Sequence, residues 1–257
     1  IDDDIKVLIV IHPKQISDAA QFALDQFVLR GGKLIAFLDA FSLVDSQGQR
    51  NPMMGETGGG TSTLDKLLKA WGLQFETGKV VADLNFKAQS QGRGNRPVDV
   101  PAALVMTAEG INKEDIATSE IDNVLVPFGG AFTGTPAAGL KETVLLHSTK
   151  DSQIVEGFLA NLSGESIMKD FKASGTTYAL AVKLSGKFKT AFPDGKPSEK
   201  KEETPDAEKK PDEKKDERKP DNSLKESAAE NTVVLFGDAD MLYANFVVRK
   251  MKTPFGA

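Results

Sequence analysis

The 257-residue sequence contains no cysteine, two histidines and one tryptophan. Without cysteine the chain cannot form disulfides, thiolate nucleophiles or cysteine metal sites. Two histidines are too few for a histidine-rich zinc site. No apolar run reaches the length that a bilayer-spanning helix needs, and no secretory signal peptide is present. Because the sequence does not begin with methionine, we expect it to be an excised portion of a longer chain.

The composition is that of a globular protein with a mildly acidic balance. Hydrophobic residues make up 40%, which supplies enough core for one large domain or two small ones. The net charge of −5 gives no reason to expect binding to nucleic acid.

Residues 5–41 have the pattern strand, turn, helix, glycine stop, strand. The apolar run 6–11 predicts a strand covered on both faces, and His12-Pro13 ends it. Ser17 is a predicted helix N-cap, and Gly31-Gly32 supplies the helix stop before a strand at 33–38. This βαβ unit predicts an α/β fold with a mainly parallel sheet, in which ligands bind at the carboxyl ends of the strands.

Residues 193–230 form a highly charged tract with 10 Lys+Arg, 13 Asp+Glu and Leu224 as its one large aliphatic residue. Such a segment cannot bury enough apolar surface to offset its ordering entropy, so we expect a flexible loop. It could serve as a docking tail, but a solvated excursion between two strands is favoured. Since strand-like sequence lies on both sides, we expect one domain, 1–257, interrupted by this loop.

The middle of the chain is readable in outline. Gly92, Gly94 and Pro97 predict a turn before an apolar run at 98–106, which indicates a β-hairpin. Residues 152–162 are amphipathic and predict a helix.

Candidate chemistry is confined to a few polar residues at predicted strand ends. His12, Asp39, Asp238 and Asp240 have this position, and Asp45 follows nearby. A parallel sheet could bring them together as a ligand-binding site or, with a divalent cation, a catalytic one. Aspartates at such places more often cap a following helix or turn. Structural capping is therefore the favoured role of the aspartates, and a ligand-binding role for His12, Asp39, Asp238 and Asp240 is the speculative alternative. We predict no catalytic residue and no cofactor.

A second candidate site is the glycine cluster Gly58-Gly59-Gly60 before Ser62. We expect Ser62 to cap a helix, with Asp65 three residues on. A glycine-rich turn into a helix can bind an anion through Gly59, Gly60 and Ser62, although a surface loop is the alternative. The pattern lacks the ending of a nucleotide-hydrolysing P-loop.

Five segments carry a resemblance to a known family: VLIVIHP, FVLRGG, KLIAFLDAF, TYALAVKLSGKFKTAF and VVLFGDADML. Together they resemble the soluble domain of auxiliary proteins of ABC-type transport systems, a family that includes gliding-motility-associated components. The resemblance implies a flavodoxin-like or glutamine-amidotransferase-like three-layer sandwich with a β-hairpin addition. It also implies membrane anchoring by helices outside this fragment, at the periplasmic face of the inner membrane in the cell envelope. The implied partners are permease and ATPase subunits or other envelope proteins.

Two functions stay open at this point. The first is a non-catalytic domain that binds a partner or a transported ligand. The second is an α/β hydrolase or transferase that uses Asp39, Asp238 and Asp240. An amidotransferase reaction is excluded, because the nucleophilic cysteine that it needs is absent.

Overall fold

The computed structural model describes residues 1–48, 60–162, 164–197 and 222–247. Within them lie fourteen strands and six α-helices. The strands are β1 Val7–Ile11, β2 Lys33–Phe37, β3 Asp39–Ser42, β4 Gly60–Ser62, β5 Leu73–Phe75, β6 Lys79–Asp83, β7 Lys87–Gln91, β8 Pro97–Met106, β9 Val124–Pro127, β10 Phe132–Gly134, β11 Leu140–His147, β12 Ser152–Glu156, β13 Ala179–Gly186 and β14 Asn231–Phe236. The helices are α1 Asp18–Leu29, α2 Leu43–Gly48, α3 Asp65–Trp71, α4 Gly157–Leu162, α5 Gly164–Asp170 and α6 Ala244–Val247.

The largest sheet has seven strands and mixed direction. Its order is β1-β2-β14-β13-β10-β5, and β11 pairs with β13 beside this path. β1, β2 and β14 are parallel neighbours, whereas β13, β10, β5 and β11 join by antiparallel pairing. The predicted βαβ unit is therefore present, but it occupies only one end of the sheet.

The predicted flavodoxin-like or amidotransferase-like sandwich is wrong. Strand residues outnumber helical ones, the main sheet is mixed, and the other sheets are antiparallel pairs and a three-stranded meander. A mainly parallel sheet needs a crossover helix for each strand pair. In the described part of the chain, only α1 has that length. The βαβ unit at the start of the chain predicts parallel pairing correctly for β1 and β2. The strands that follow in the sequence mostly pair antiparallel, so the prediction does not extend to the rest of the sheet.

Local signals at the first helix are confirmed. Ser17 Oγ accepts a hydrogen bond from the backbone N–H of Ala20, as an N-cap does. At the other end Gly31 has φ of +100°, the left-handed conformation that glycine adopts without steric cost. The apolar side of α1 packs with α3 on one face of the main sheet, where Phe27 and Trp71 are buried.

The prediction that the first strand is covered on both faces is wrong. Along β1 the exposure alternates, and Val7, Ile9 and Ile11 keep about half of their surface open. Leu8 and Val10 pack against the cluster that contains α1. Val7, Ile9 and Ile11, on the other face, belong to none of the apolar clusters formed by the described residues.

The predicted hairpin is present, because β7 pairs with β8 in antiparallel register across the turn at Gly94. The helix predicted at 152–162 is only half right. Its first part is β12, which pairs with β6, and its second part is α4. Pairing partners outside the segment override its local amphipathic pattern.

The charged tract lies mostly outside the described residues. β13 and β14, which flank it, pair with each other, and a bridge joins Lys189 to Glu226. Its predicted flexibility stays a prediction, as does the single-domain organisation.

Candidate functional site

The carboxyl ends of β1, β2 and β14 lie side by side, and the polar residues predicted there come together. His12 follows β1, Asp39 begins β3 just after β2, and Asp238 and Asp240 follow β14. Parallel pairing of these three strands is the reason, since it aligns their carboxyl ends at one edge. Asp45, in α2, completes the group.

His12 lies between two carboxylates. Its Nδ1 is 2.8 Å from Asp39 Oδ2, and its Nε2 is 3.5 Å from Asp45 Oδ2. Neither ring nitrogen is aligned for a hydrogen bond, and Asp39 Oδ2 is buried without an aligned partner. His12 also has φ of +48°, which is costly for a residue with a side chain. Strained backbone and incompletely satisfied polar atoms are features of binding and catalytic sites.

Burial controls the protonation of Asp39. The pKa of its carboxyl is raised to about 8: loss of solvent is the largest cause, the nearby Asp240 raises the pKa as well, and the hydrogen bond from the Ala239 N–H lowers it. Asp39 is therefore mainly protonated at neutral pH.

Burial also favours the protonated form of Asp238. It is fully buried, and burial together with Asp39 and Asp240 raises the pKa of its carboxyl well above the usual range. Its Oδ1 accepts a hydrogen bond from the Met241 N–H at 3.0 Å, whereas Oδ2 has no partner.

Asp45 and Asp240 have ample donors. Lys14 Nζ lies 2.7 Å from Asp45 Oδ2, and this contact, with His12, lowers the pKa of Asp45. Asp240 accepts from Ser42 Oγ at 2.7 Å and from the first N–H groups of α2, those of Leu43 and Val44. Asp240 thus caps α2, a helix that begins 197 residues earlier in the chain, and not the following helix that the sequence indicated.

These residues border an open pocket of about 480 Å³. Its polar side carries His12, Asp39 and Asp240, and its apolar rim includes Ile11 and Tyr243. Sequence reasoning missed Ser42, Lys14 and Tyr243. Only the position of Lys14, two residues after His12, could have indicated it.

The second predicted site is built differently from what we expected. Ser62 does not cap a helix: α3 begins at Asp65 without a side-chain cap, and Ser62 lies in β4, where its Oγ accepts from the Asp39 N–H. Gly60 leaves room for the Asp45 carboxyl, which a Cβ would strike. Gly59 is outside the described residues. Anion binding at Gly59, Gly60 and Ser62 stays a prediction, without the helix terminus on which it depended.

Across residues 1–48, 60–162, 164–197 and 222–247, no group of three or more His, Asp or Glu side chains is arranged to hold a metal ion. His12, Asp39 and Asp240 share a pocket without converging as a ligand set.

Comparison with known proteins places the sequence in a family. The family described as ABC-type uncharacterized transport system matches residues 1–257. The chain belongs to that family. Its resemblance to ABC transport auxiliary proteins is thereby confirmed. No curated protein and no solved structure gives a significant match.

Membership of this family indicates that the chain is an auxiliary component of an ABC transport system. Among the helices that the structure describes, none has both the length and the apolar character to cross a bilayer.

Proposed function

We propose that the chain is a non-catalytic domain of an ABC transport auxiliary subunit, and that its strand-end pocket binds a cationic group of a partner protein or transported ligand. The observation that carries this proposal is the buried Asp39, 1% exposed, which lines the pocket and whose Oδ2 has no aligned hydrogen bond. A cation would supply the missing partner, since a positive charge favours the ionised form of a carboxyl.

The use of the other carboxyls supports a binding role over turnover. Asp240 and Asp238 accept backbone N–H groups at the start of short helical turns. Carboxyl groups already engaged in this way are held in place, and of the two Asp240 lines the pocket.

One observation favours the second candidate function, a hydrolase or transferase. Asp39 has a pKa of about 8 and lies beside His12, so it could exchange protons near neutral pH. Turnover of model esters or phosphate esters by purified protein, abolished in Asp39→Asn, would establish this alternative in place of the binding role.

The wider setting is proposed from the family resemblance. The partners would be permease and ATPase subunits or other envelope proteins, with the domain at the periplasmic face of the inner membrane and tethered by helices outside this sequence. A link to gliding motility is likewise a prediction from the resemblance.

Calorimetric titration with N-acetyl-arginine amide tests cation binding, with the neutral isostere N-acetyl-citrulline amide as its control. Only the arginine compound should bind. Because Asp39 must lose its proton to pair, affinity should rise by up to about tenfold per pH unit below pH 8, with proton release to the buffer. Asp39→Asn should weaken binding at least about fivefold, an ordinary loss for a charged partner.

Asp99→Asn is the matched control, since Asp99 lies on the distant hairpin and pairs with Lys87. It should bind as the wild type does. Equal binding of the citrulline compound, or unchanged affinity in Asp39→Asn, would refute the proposal.

A further inference from the structure

The outer face of β1 is apolar and open. Val7, Ile9 and Ile11 are 55%, 56% and 56% exposed, and all three point away from the core face that Leu8 and Val10 occupy. Single exposed apolar side chains are ordinary, but a row of three on a sheet edge is not.

The apolar row continues onto the neighbouring strands. Ile35 and Phe37 of β2 are the register partners of Ile9 and Ile11, and both are half-buried. The ring of Phe37 stacks on Phe236 of β14 with centroids 4.6 Å apart. We call the five residues Val7, Ile9, Ile11, Ile35 and Phe37 the open face.

Beyond β14 the same side of the sheet is covered. Lys183 of β13 is the register partner of Val234, and it forms an ion pair with the buried Asp115. Val234 and Phe236 pack with a second apolar cluster. The covering layer ends at β14, so the open face is two strands wide.

These dimensions suit one helix. Two strands span about 10 Å across, and residues 7–11 extend about 13 Å along the strand. A helix is about 10 Å in diameter and covers that length with about nine residues. The opposite face of the sheet is an example of such packing, because there the 12-residue helix α1 packs against the two strands β2 and β14.

The open face runs directly into the pocket. Ile11 belongs to both, and Leu242 and Tyr243, 44% and 39% exposed, extend the apolar rim. Anything that covers β1 and β2 reaches Asp39 at the end of these strands. The buried Asp39 carboxyl there lacks an aligned donor, and Asp240 adds negative charge beside it. A basic group at that end of the occupant would complement Asp240 and the ionised form of Asp39.

We infer that the open face and the pocket form one docking surface for an amphipathic helix of a partner chain, with a Lys or Arg at the end that lies over Ile11. The apolar side of the helix covers β1 and β2, and its cation enters the pocket. The cation contact rests on the proposed function, whereas the apolar contact is independent of it.

The test uses a synthetic 14-residue helix with leucines at helical spacing on one side, lysines on the other and an arginine at one end. A peptide of the same composition in scrambled order, without an apolar side, is its control. Fluorescence anisotropy should show binding of the amphipathic peptide at least about tenfold tighter than of the scrambled one.

Ile9→Asp should weaken binding of the amphipathic peptide at least tenfold, with the fold checked by circular dichroism. Ile116→Asp, at a residue 92% exposed outside the open face, should leave it unchanged. Ile9→Asp should also leave binding of N-acetyl-arginine amide unchanged, so failure here is distinguishable from failure of the proposed function.

Three outcomes would overturn the inference. The first two are equal binding of both peptides and unchanged peptide binding in Ile9→Asp.

The third is that the open face binds a second copy of the chain or a membrane. Sedimentation of the wild-type protein would show a dimer that Ile9→Asp abolishes, or flotation would show binding to phosphatidylglycerol vesicles that Ile9→Asp abolishes.

Discussion

Asp39 is the residue on which the chemistry of the pocket depends. It is buried, its Oδ1 accepts from the Ala239 N–H, and its Oδ2 faces His12 at 2.8 Å. Folding removes water from a group that would ionise near pH 4 in the unfolded chain. The folded protein therefore holds a proton that the unfolded chain releases.

This difference predicts a pH-dependent stability. The pKa of Asp39 is about 8 in the folded protein, so between about pH 4 and 8 the folded state binds more protons than the unfolded state. The free energy of unfolding should fall as pH rises through this window. Asp39→Asn removes that contribution and should gain about 2–4 kcal/mol relative to wild type between pH 5 and pH 8.

Urea denaturation at the two pH values measures the effect. The stability of the variant should still depend on pH to some extent, because the pKa of the Asp238 carboxyl is raised as well. Asp4→Asn, at an exposed residue, is the control and should follow the wild type. A parallel pH profile for Asp39→Asn and wild type would contradict the protonation assigned to Asp39.

At the scale of elements, the turn between α3 and β5 shows how tightly short segments are joined. Gly72 ends α3 in the left-handed conformation, φ +81°, and a Cβ there would strike the backbone carbonyl of Thr135. Gly78 has a similar φ of +84° but open space around it. Substitutions at Gly72 and Gly78 therefore distinguish the cost of backbone strain, which both share, from the cost of a steric clash, which only Gly72 has.

Gly78→Ala should cost about 1 kcal/mol of unfolding free energy, since it adds backbone strain only. Gly72→Ala should cost about 3 kcal/mol or more, because the chain around Thr135 must also move. Urea denaturation of both variants makes the comparison. Equal losses would mean that Thr135 yields without cost.

At the scale of the whole molecule, strand β13 contributes residues to two of the apolar clusters of the core. Val182 and Leu184 of β13 pack in the cluster around Trp71, whereas Leu180 and Ala181 pack in the cluster that contains Leu104. A substitution that destabilises one of these two clusters should therefore destabilise the other as well.

Leu104→Ala should cost about 2–5 kcal/mol, as large-to-small changes in a core do. Since Trp71 is the one tryptophan and is buried, its fluorescence reports the other cluster. We expect the fluorescence and circular dichroism midpoints to fall together. Leu162→Ala, at a residue 62% exposed, should shift neither much. A fluorescence midpoint unchanged in Leu104→Ala would indicate two independent domains.

Local structure was the part of the fold that the sequence predicted well. The Ser17 cap, the Gly31 stop and the hairpin at Gly94 depend on neighbours within a few residues. Ser62 is the exception: its hydroxyl bonds to Asp39, 23 residues earlier in the chain, so its pattern with Asp65 did not produce a cap. Signals of this kind hold wherever no distant partner competes.

The sequence by itself determined the opening βαβ unit and hence the edge at which His12 and Asp39 meet, because the strand and helix patterns of this unit lie within residues 5–41. Asp240 joins them through the pairing of β14 with β2, which the tertiary structure decided. Only the tertiary structure decided the direction of the remaining strands, the open face of β1 and the protonation of Asp39. Each of these depends on contacts between residues far apart in the chain, on which strand pairs with which and on how much water is excluded, and no local pattern encodes them.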